Sequence, residues 1–78
     1  MIDWHIHLTR NPAIASGQLC AIGTRIPITV ILANLSEGMS RDELLKQYPS
    51  LVGEHIDASL AYAADLAEEE TMLPLSGP

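Results

Sequence analysis

Apolar and polar positions change their rhythm as the chain proceeds. Residues 4–8, Trp-His-Ile-His-Leu, alternate apolar and polar, which is the period of a half-buried strand. Asn11-Pro12 and Ser16-Gly17 then break the pattern as turns. Residues 19–22 and 24–27 flank Gly23 and read as two short extended pieces around a tight turn. Pro27, with its fixed φ, suits either the end of an edge strand or the opening of a helix.

From there the period becomes helical. Ile28, Ile31, Leu32 and Leu35 fall on one face, predicting a helix over 28–37 with Gly38 as its left-handed terminator. Ser40-Arg-Asp-Glu43 is a capping box, and Met39 before it can staple onto Leu44. This second helix turns Leu44, Leu45 and Tyr48 to one side and stops at Pro49. A four-residue connection leads to the longest helix. There Ile56, Leu60, Ala63, Ala64 and Ala67 make the expected core stripe, widened by Tyr62 and Leu66. The fold class expected is therefore mainly α: a trihelical, helix-turn-helix-like (homeodomain-like) core behind short N-terminal β-strands or a hairpin. One domain over 1–70 and a mobile C-terminal tail over 71–78 complete the expected organisation, since Pro74, Gly77 and Pro78 oppose further helix.

Charge narrows the range of partners. The formal charge is −6, and all four basic residues (Arg10, Arg25, Arg41, Lys46) lie before position 47. Asp57, Asp65, Glu68, Glu69 and Glu70 lie after it, so the acid gathers in the C-terminal third. Such a chain is expected to bind DNA only weakly on its own, because affinity for nucleic acid comes from neutralising phosphate. At 78 residues the core is thin, and homodimer formation is a natural support. A single cysteine, Cys20, cannot make an intrachain disulfide and is expected as a small buried hydrophobe. Asp3, His5 and His7 interrupt the N-terminus where a signal peptide would need an apolar run, and no stretch approaches the ~18 apolar residues of a membrane span. A cytoplasmic location with no membrane association is the expectation.

Few residues suggest chemistry. Asp3-x-His5-x-His7 on a strand would place two imidazoles on one face, where they could grip zinc. The barrels that open with such a string need about 250 residues to supply the remaining ligands. An ordinary exposed strand face is the expected reading, with no metal, no cofactor, no catalytic residue and no small-molecule substrate. Arg25 stands in an apolar extended stretch and needs a partner. The favoured reading is an ion pair with a helix acid, and the alternative is a phosphate or partner contact. The third helix offers Glu54, His55, Asp57 and Ser59 in its first turns and no Arg or Lys, which argues against major-groove reading.

A longer pattern adds to this. The run Gly17-Gln-Leu-Cys-Ala-Ile-Gly-Thr-Arg-Ile-Pro-Ile28, then Glu37-Gly-Met-Ser40, Leu44-Leu45, Tyr48-Pro49 and Leu60-Ala-Tyr-Ala63, resembles the domain-of-unknown-function 433 family over roughly residues 4–75. That family is one of small helix-turn-helix-like proteins, many of them similar to VapB-type antitoxins encoded beside a PIN-like nuclease toxin. Departures occur at Leu19, where the family often has Pro, and at Ile22, where it often has a basic residue. Val52-Gly53 stands where Thr or Ser usually opens the third helix, which should weaken that N-cap by ~1 kcal/mol.

The resemblance implies a protein-binding antitoxin that neutralises a PIN-like toxin by occlusion, as a homodimer. A DNA-binding autoregulator is the second implication. Glu68, Glu69 and Glu70 beside Met72, Leu73 and Leu75 form an anchor-plus-charge element expected to meet the partner.

Overall fold

In the computed structural model, residues 2–71 are described, with side chains through Glu69. The chain forms a 3₁₀ turn (Trp4–Ile6), strands β1 (Leu8–Arg10) and β2 (Leu19–Ala21), and helices α1 (Ile28–Ser36), α2 (Arg41–Gln47) and α3 (Gly53–Thr71). A second single turn, Ala15–Gly17, lies in the loop between the strands. Three helices behind a two-stranded antiparallel hairpin make the fold mainly α, as the periodicity predicts. Residues 72–78, most of the expected tail, lie outside the described residues.

The N-terminal strand expected over 4–8 is a correction. Asp3 accepts the backbone N–H of His5 and so caps a helical turn there. The turn lets Trp4 swing onto α3, where its ring meets Tyr62 edge-on at 4.9 Å. Alternation begins only at Leu8, which is buried and pairs with Ala21, followed by Thr9 with Cys20 and Arg10 with Leu19. Gly23 at φ +78° turns the chain after β2, and Thr24 Oγ1 locks the turn by donating to Ala21 O and accepting from Ile26 N–H. Pro27 does both things open to it: it bridges to Cys20 and directly precedes α1.

Helix ends follow the local chemistry of the sequence. Gly38 at φ +97° closes α1, with Gly38 N–H donating to Leu35 O and Met39 N–H to Asn34 O, the paired bonds of a Schellman motif. The capping box at Ser40 and Glu43 is complete, and Met39 packs against the cluster that holds Leu44. At α3 the N-cap is Val52, which has no side-chain acceptor. Half of a capping box survives all the same: His55, at the N3 position, accepts the Val52 N–H on Nδ1 at 3.1 Å.

The core has two lobes. Ala21, Ile31, Leu44, Leu51 and Ile56 join all three helices to β2, and Leu8, Ile28 and Ala58 join the hairpin to α1 and α3. The core-facing stripe of α3 is thus His55, Ile56, Ala58, Ser59 and Ala61: of the stripe expected from apolarity Ile56 is buried and Tyr62 packs on the second lobe, while the rest shifts to smaller residues. Leu60 and Leu66 are 47% and 43% exposed, and Ala64 and Ala67 face outward with them. Ala58, Ser59 and Ala61 beside Ile56 let α3 approach its neighbours closely on the inner face, and Leu60 and Leu66 are left outside. Among the described residues no helix is long and apolar enough to cross a membrane.

Candidate functional site

Two grooves of opposite character flank the core. The first lies where the outer part of α3 meets the N-terminal turn. Trp4, His5, Tyr62, Asp65, Leu66, Glu68 and Glu69 line about 500 Å³ of open space. Trp4 is sandwiched by geometry: its ring stacks on His5 at 3.7 Å and meets Tyr62 edge-on, and its indole N–H donates to Asp65 at 2.6 Å. The His5 ring in turn pairs with Asp3 at 2.9 Å, and hydrogen bonds from His5 hold the Asp3 carboxyl below its usual range. Aromatic faces with carboxylates at their rim are the surroundings that favour a cationic side chain, through cation–π attraction and charge pairing.

Two of the sequence-predicted partner residues, Glu68 and Glu69, line this groove. Glu70 lies on the same helix, while Met72, Leu73 and Leu75 fall outside the described residues. Sequence reasoning missed Trp4 and Tyr62 as part of this surface. Their separation by 58 positions hid the contact, although a lone Trp in a Phe-free chain was a usable signal.

The second groove runs along the hairpin. Thr9, Arg10, Asn11, Pro12, Ile14, Gly23, Thr24, Arg25, Ile26 and Ser50 line about 700 Å³. Arg25 corrects the favoured expectation. It is exposed, and among the described residues no carboxylate pairs with it. It shares the groove with Arg10, whose guanidinium donates to Gly17 O at 3.3 Å. Among the described residues no acidic side chain lines this groove.

The start of α3 carries no base-reading surface. His55 is only 6% exposed and Ser59 is fully buried, with its hydroxyl bonded back to His55 O. Burial lowers the His55 pKa, against the opposing effect of a backbone hydrogen bond with Ile22. Asp57 is gripped by Arg41 through two bonds of 2.7 and 3.1 Å, while the same guanidinium reaches Gly53 O. That pairing holds the Asp57 carboxyl below its ordinary value. His5 and His7 do not share a strand face, since His5 lies in the 3₁₀ turn. Among the described residues no group of three or more His, Cys, Asp or Glu is placed to hold a metal ion. Cys20 is buried and reduced in the hairpin, its thiol directed at Gln18 O.

Comparison with known proteins bears on the whole fold. No curated protein matches the chain. A crystal structure at 2.00 Å resolution of a DUF433 member protein from Anabaena variabilis ATCC 29413 is similar, with a TM-score of 0.72 and 30% sequence identity. The match covers 81% of this chain and 62% of that one, so the present chain spans less than two-thirds of the length of its structural relative. The family described as "Protein of unknown function (DUF433)" matches residues 8–63, from the first strand to the middle of α3. By that match over most of its length, the chain belongs to the DUF433 family.

Proposed function

We propose that this protein is an antitoxin-like protein-binding module. It acts as a homodimer and neutralises a PIN-like nuclease toxin by covering a basic surface of that enzyme. The observation that carries the reading is the groove of Trp4 and Tyr62 rimmed by Asp65, Glu68 and Glu69. It places carboxylates beside aromatic rings on a helix end that contributes little to the core, so a partner can take it without dismantling the fold. A nuclease groove is lined with cations that hold phosphate, and such cations fit carboxylates and aromatic faces equally well. Residues 72–75, with Met72, Leu73 and Leu75, would extend the contact as an apolar anchor.

DNA regulation remains the second reading. It is favoured by one observation, the acid-free groove of Arg10 and Arg25. Two cations would give a salt dependence of only about −1.8 in log–log slope, a small share of what DNA-binding domains use.

The test is to find a short PIN-like nuclease reading frame adjacent to this gene, mix its purified product with the protein and follow RNA cleavage. Stoichiometric loss of cleavage, with a complex seen by gel filtration, supports the proposal. Unimpeded cleavage with no complex at tens of micromolar overturns it.

A further inference from the structure

One face of Trp4 is covered by a ring that is only loosely held. The His5 imidazole lies nearly parallel to the indole, 20° from its plane, with ring centroids 3.7 Å apart. It is kept there by the stack and by the pairing of Nδ1 with Asp3 at 2.9 Å, and its side chain is still 69% exposed. The indole underneath is fixed more firmly. Its N–H donates to Asp65, Tyr62 meets it edge-on, and it packs against the lobe of Leu8, Ile28 and Ala58. A rigid aromatic surface thus carries a movable planar cover, in a groove with an acidic rim.

That geometry discriminates between cations. An ammonium is a compact, strongly hydrated point charge, whereas a guanidinium is planar, weakly hydrated and stacks on aromatic faces. The place His5 occupies is that of a flat group lying on indole. Its surroundings suit a fork of N–H donors. Asp3 loses its imidazole partner when the His5 ring leaves, and Asp65, Glu68 and Glu69 stand along the same groove.

We propose that this groove takes an arginine side chain, stacked on Trp4 in the place of the His5 ring, and that His5 is its built-in competitor. The proposal rests on the groove being a partner surface and adds the residue it captures and a means of control. Neutral His5 competes through its stack. Protonated His5 holds its place more strongly, as a cation over an indole face and as the donor of a charge-assisted bond to Asp3. It also sets a positive charge beside the incoming one. The other titratable groups around it are Asp3 and His7 on the N-terminal segment and Tyr62, Asp65, Glu68 and Glu69 on α3. Arginine capture therefore weakens as His5 takes up its proton.

The test titrates the full chain, at constant ionic strength, with two capped tripeptides, Gly-Arg-Gly and Gly-Lys-Gly. It is run at about pH 8 and about pH 5.5, an interval in which histidines ordinarily change charge while carboxyls and phenols do not. Trp4 is the sole tryptophan, so its fluorescence reports occupancy. The arginine peptide should bind at least about fivefold more tightly than the lysine peptide at the higher pH. Its own affinity should fall at least about threefold at the lower pH. His5→Ala keeps the backbone N–H that Asp3 caps. This variant should bind the arginine peptide at least as tightly as the parent at the higher pH, with most of the loss at the lower pH gone. NMR gives a readout independent of affinity: the His5 ring protons, shifted upfield by the indole, should return towards unstacked positions as the arginine peptide is added. Equal binding of the two peptides, a His5→Ala variant with the parent's pH dependence, or His5 ring protons unmoved at saturation each overturns the proposal and leaves the groove standing as a partner surface. No binding of the arginine peptide to parent or variant at about 20 mM, well above a millimolar Kd, overturns the proposal and counts against the groove as a cation site too.

Discussion

The two halves of α3 are built on different terms. The first half, through Ala61, places Ile56, Ala58, Ser59 and Ala61 in the core and anchors its start with His55 and the Arg41–Asp57 pair. The second half meets the rest of the protein through Tyr62, which packs on the Leu8–Ile28–Ala58 lobe, and through the Trp4 turn that Asp65 bonds, with Leu66 43% exposed beyond them. The same helix therefore makes the fold at one end and offers a surface at the other. What separates the halves is what they face: Ile56, Ala58, Ser59 and Ala61 of the first half are buried, whereas Ala64, Asp65, Leu66 and Ala67 of the second are exposed.

The sharpest contrast comes from truncating one side chain in each half. Ile56→Ala opens a cavity at a residue 1% exposed and should cost about 2–5 kcal/mol, enough to unfold much of a domain this small. Leu66→Ala, at a half-open site, should change stability by no more than about 0.5 kcal/mol. Urea denaturation of the two variants checks this, and equal losses would erase the division.

A second difference concerns pH. His55 is buried neutral, so its folded pKa lies below the ordinary value of 6.5. Protons therefore bind the unfolded chain first as pH drops. The stability is fully present above 6.5 and falls as pH passes below that value towards the folded pKa. The depressed carboxylates Asp3, Glu43 and Asp57 respond only lower, below their ordinary values of 3.8 and 4.5. Melting temperature should thus decline as pH falls below 6.5 and before the carboxylates protonate, and His55→Gln, destabilised overall, should flatten that decline. A parent with a level profile there would remove the buried-cap role.

A smaller effect lies at the N-cap itself. Val52→Thr supplies the missing hydroxyl and should add up to about 1 kcal/mol if the half-box with His55 tolerates it. Thermal melts of the variant against Ser40→Ala, expected to lose about 1 kcal/mol, place the two caps on one scale.

These sites also mark where the sequence was legible. The Schellman end at Gly38 and the box at Ser40 could be read because a few adjacent residues determine them. The strand expected over 4–8 failed because alternation is a weak signal in five residues, and a side-chain cap from Asp3 with a distant ring contact outweighed it. The core stripe of α3 was misjudged for a related reason: apolarity was read as burial, while close packing selected Ala58, Ser59 and Ala61. Glu68 and Glu69 were legible as a charged element, but Trp4 and Tyr62, which turn that element into a groove, required the tertiary contact. Arg10 joined Arg25 only through the hairpin register.

The account rests on the outer half of α3 being a partner surface that the fold does not need. Asp65→Asn, Glu68→Gln and Glu69→Gln together remove three rim charges while keeping side-chain shape. Calorimetric titration of this variant against a PIN-like nuclease that the parent protein binds, paired with its melting curve, tests the claim directly. The account predicts an affinity at least about a hundredfold weaker at a melting temperature within a few degrees of the parent. Unchanged affinity, or a loss of folding in step with the loss of binding, would contradict it.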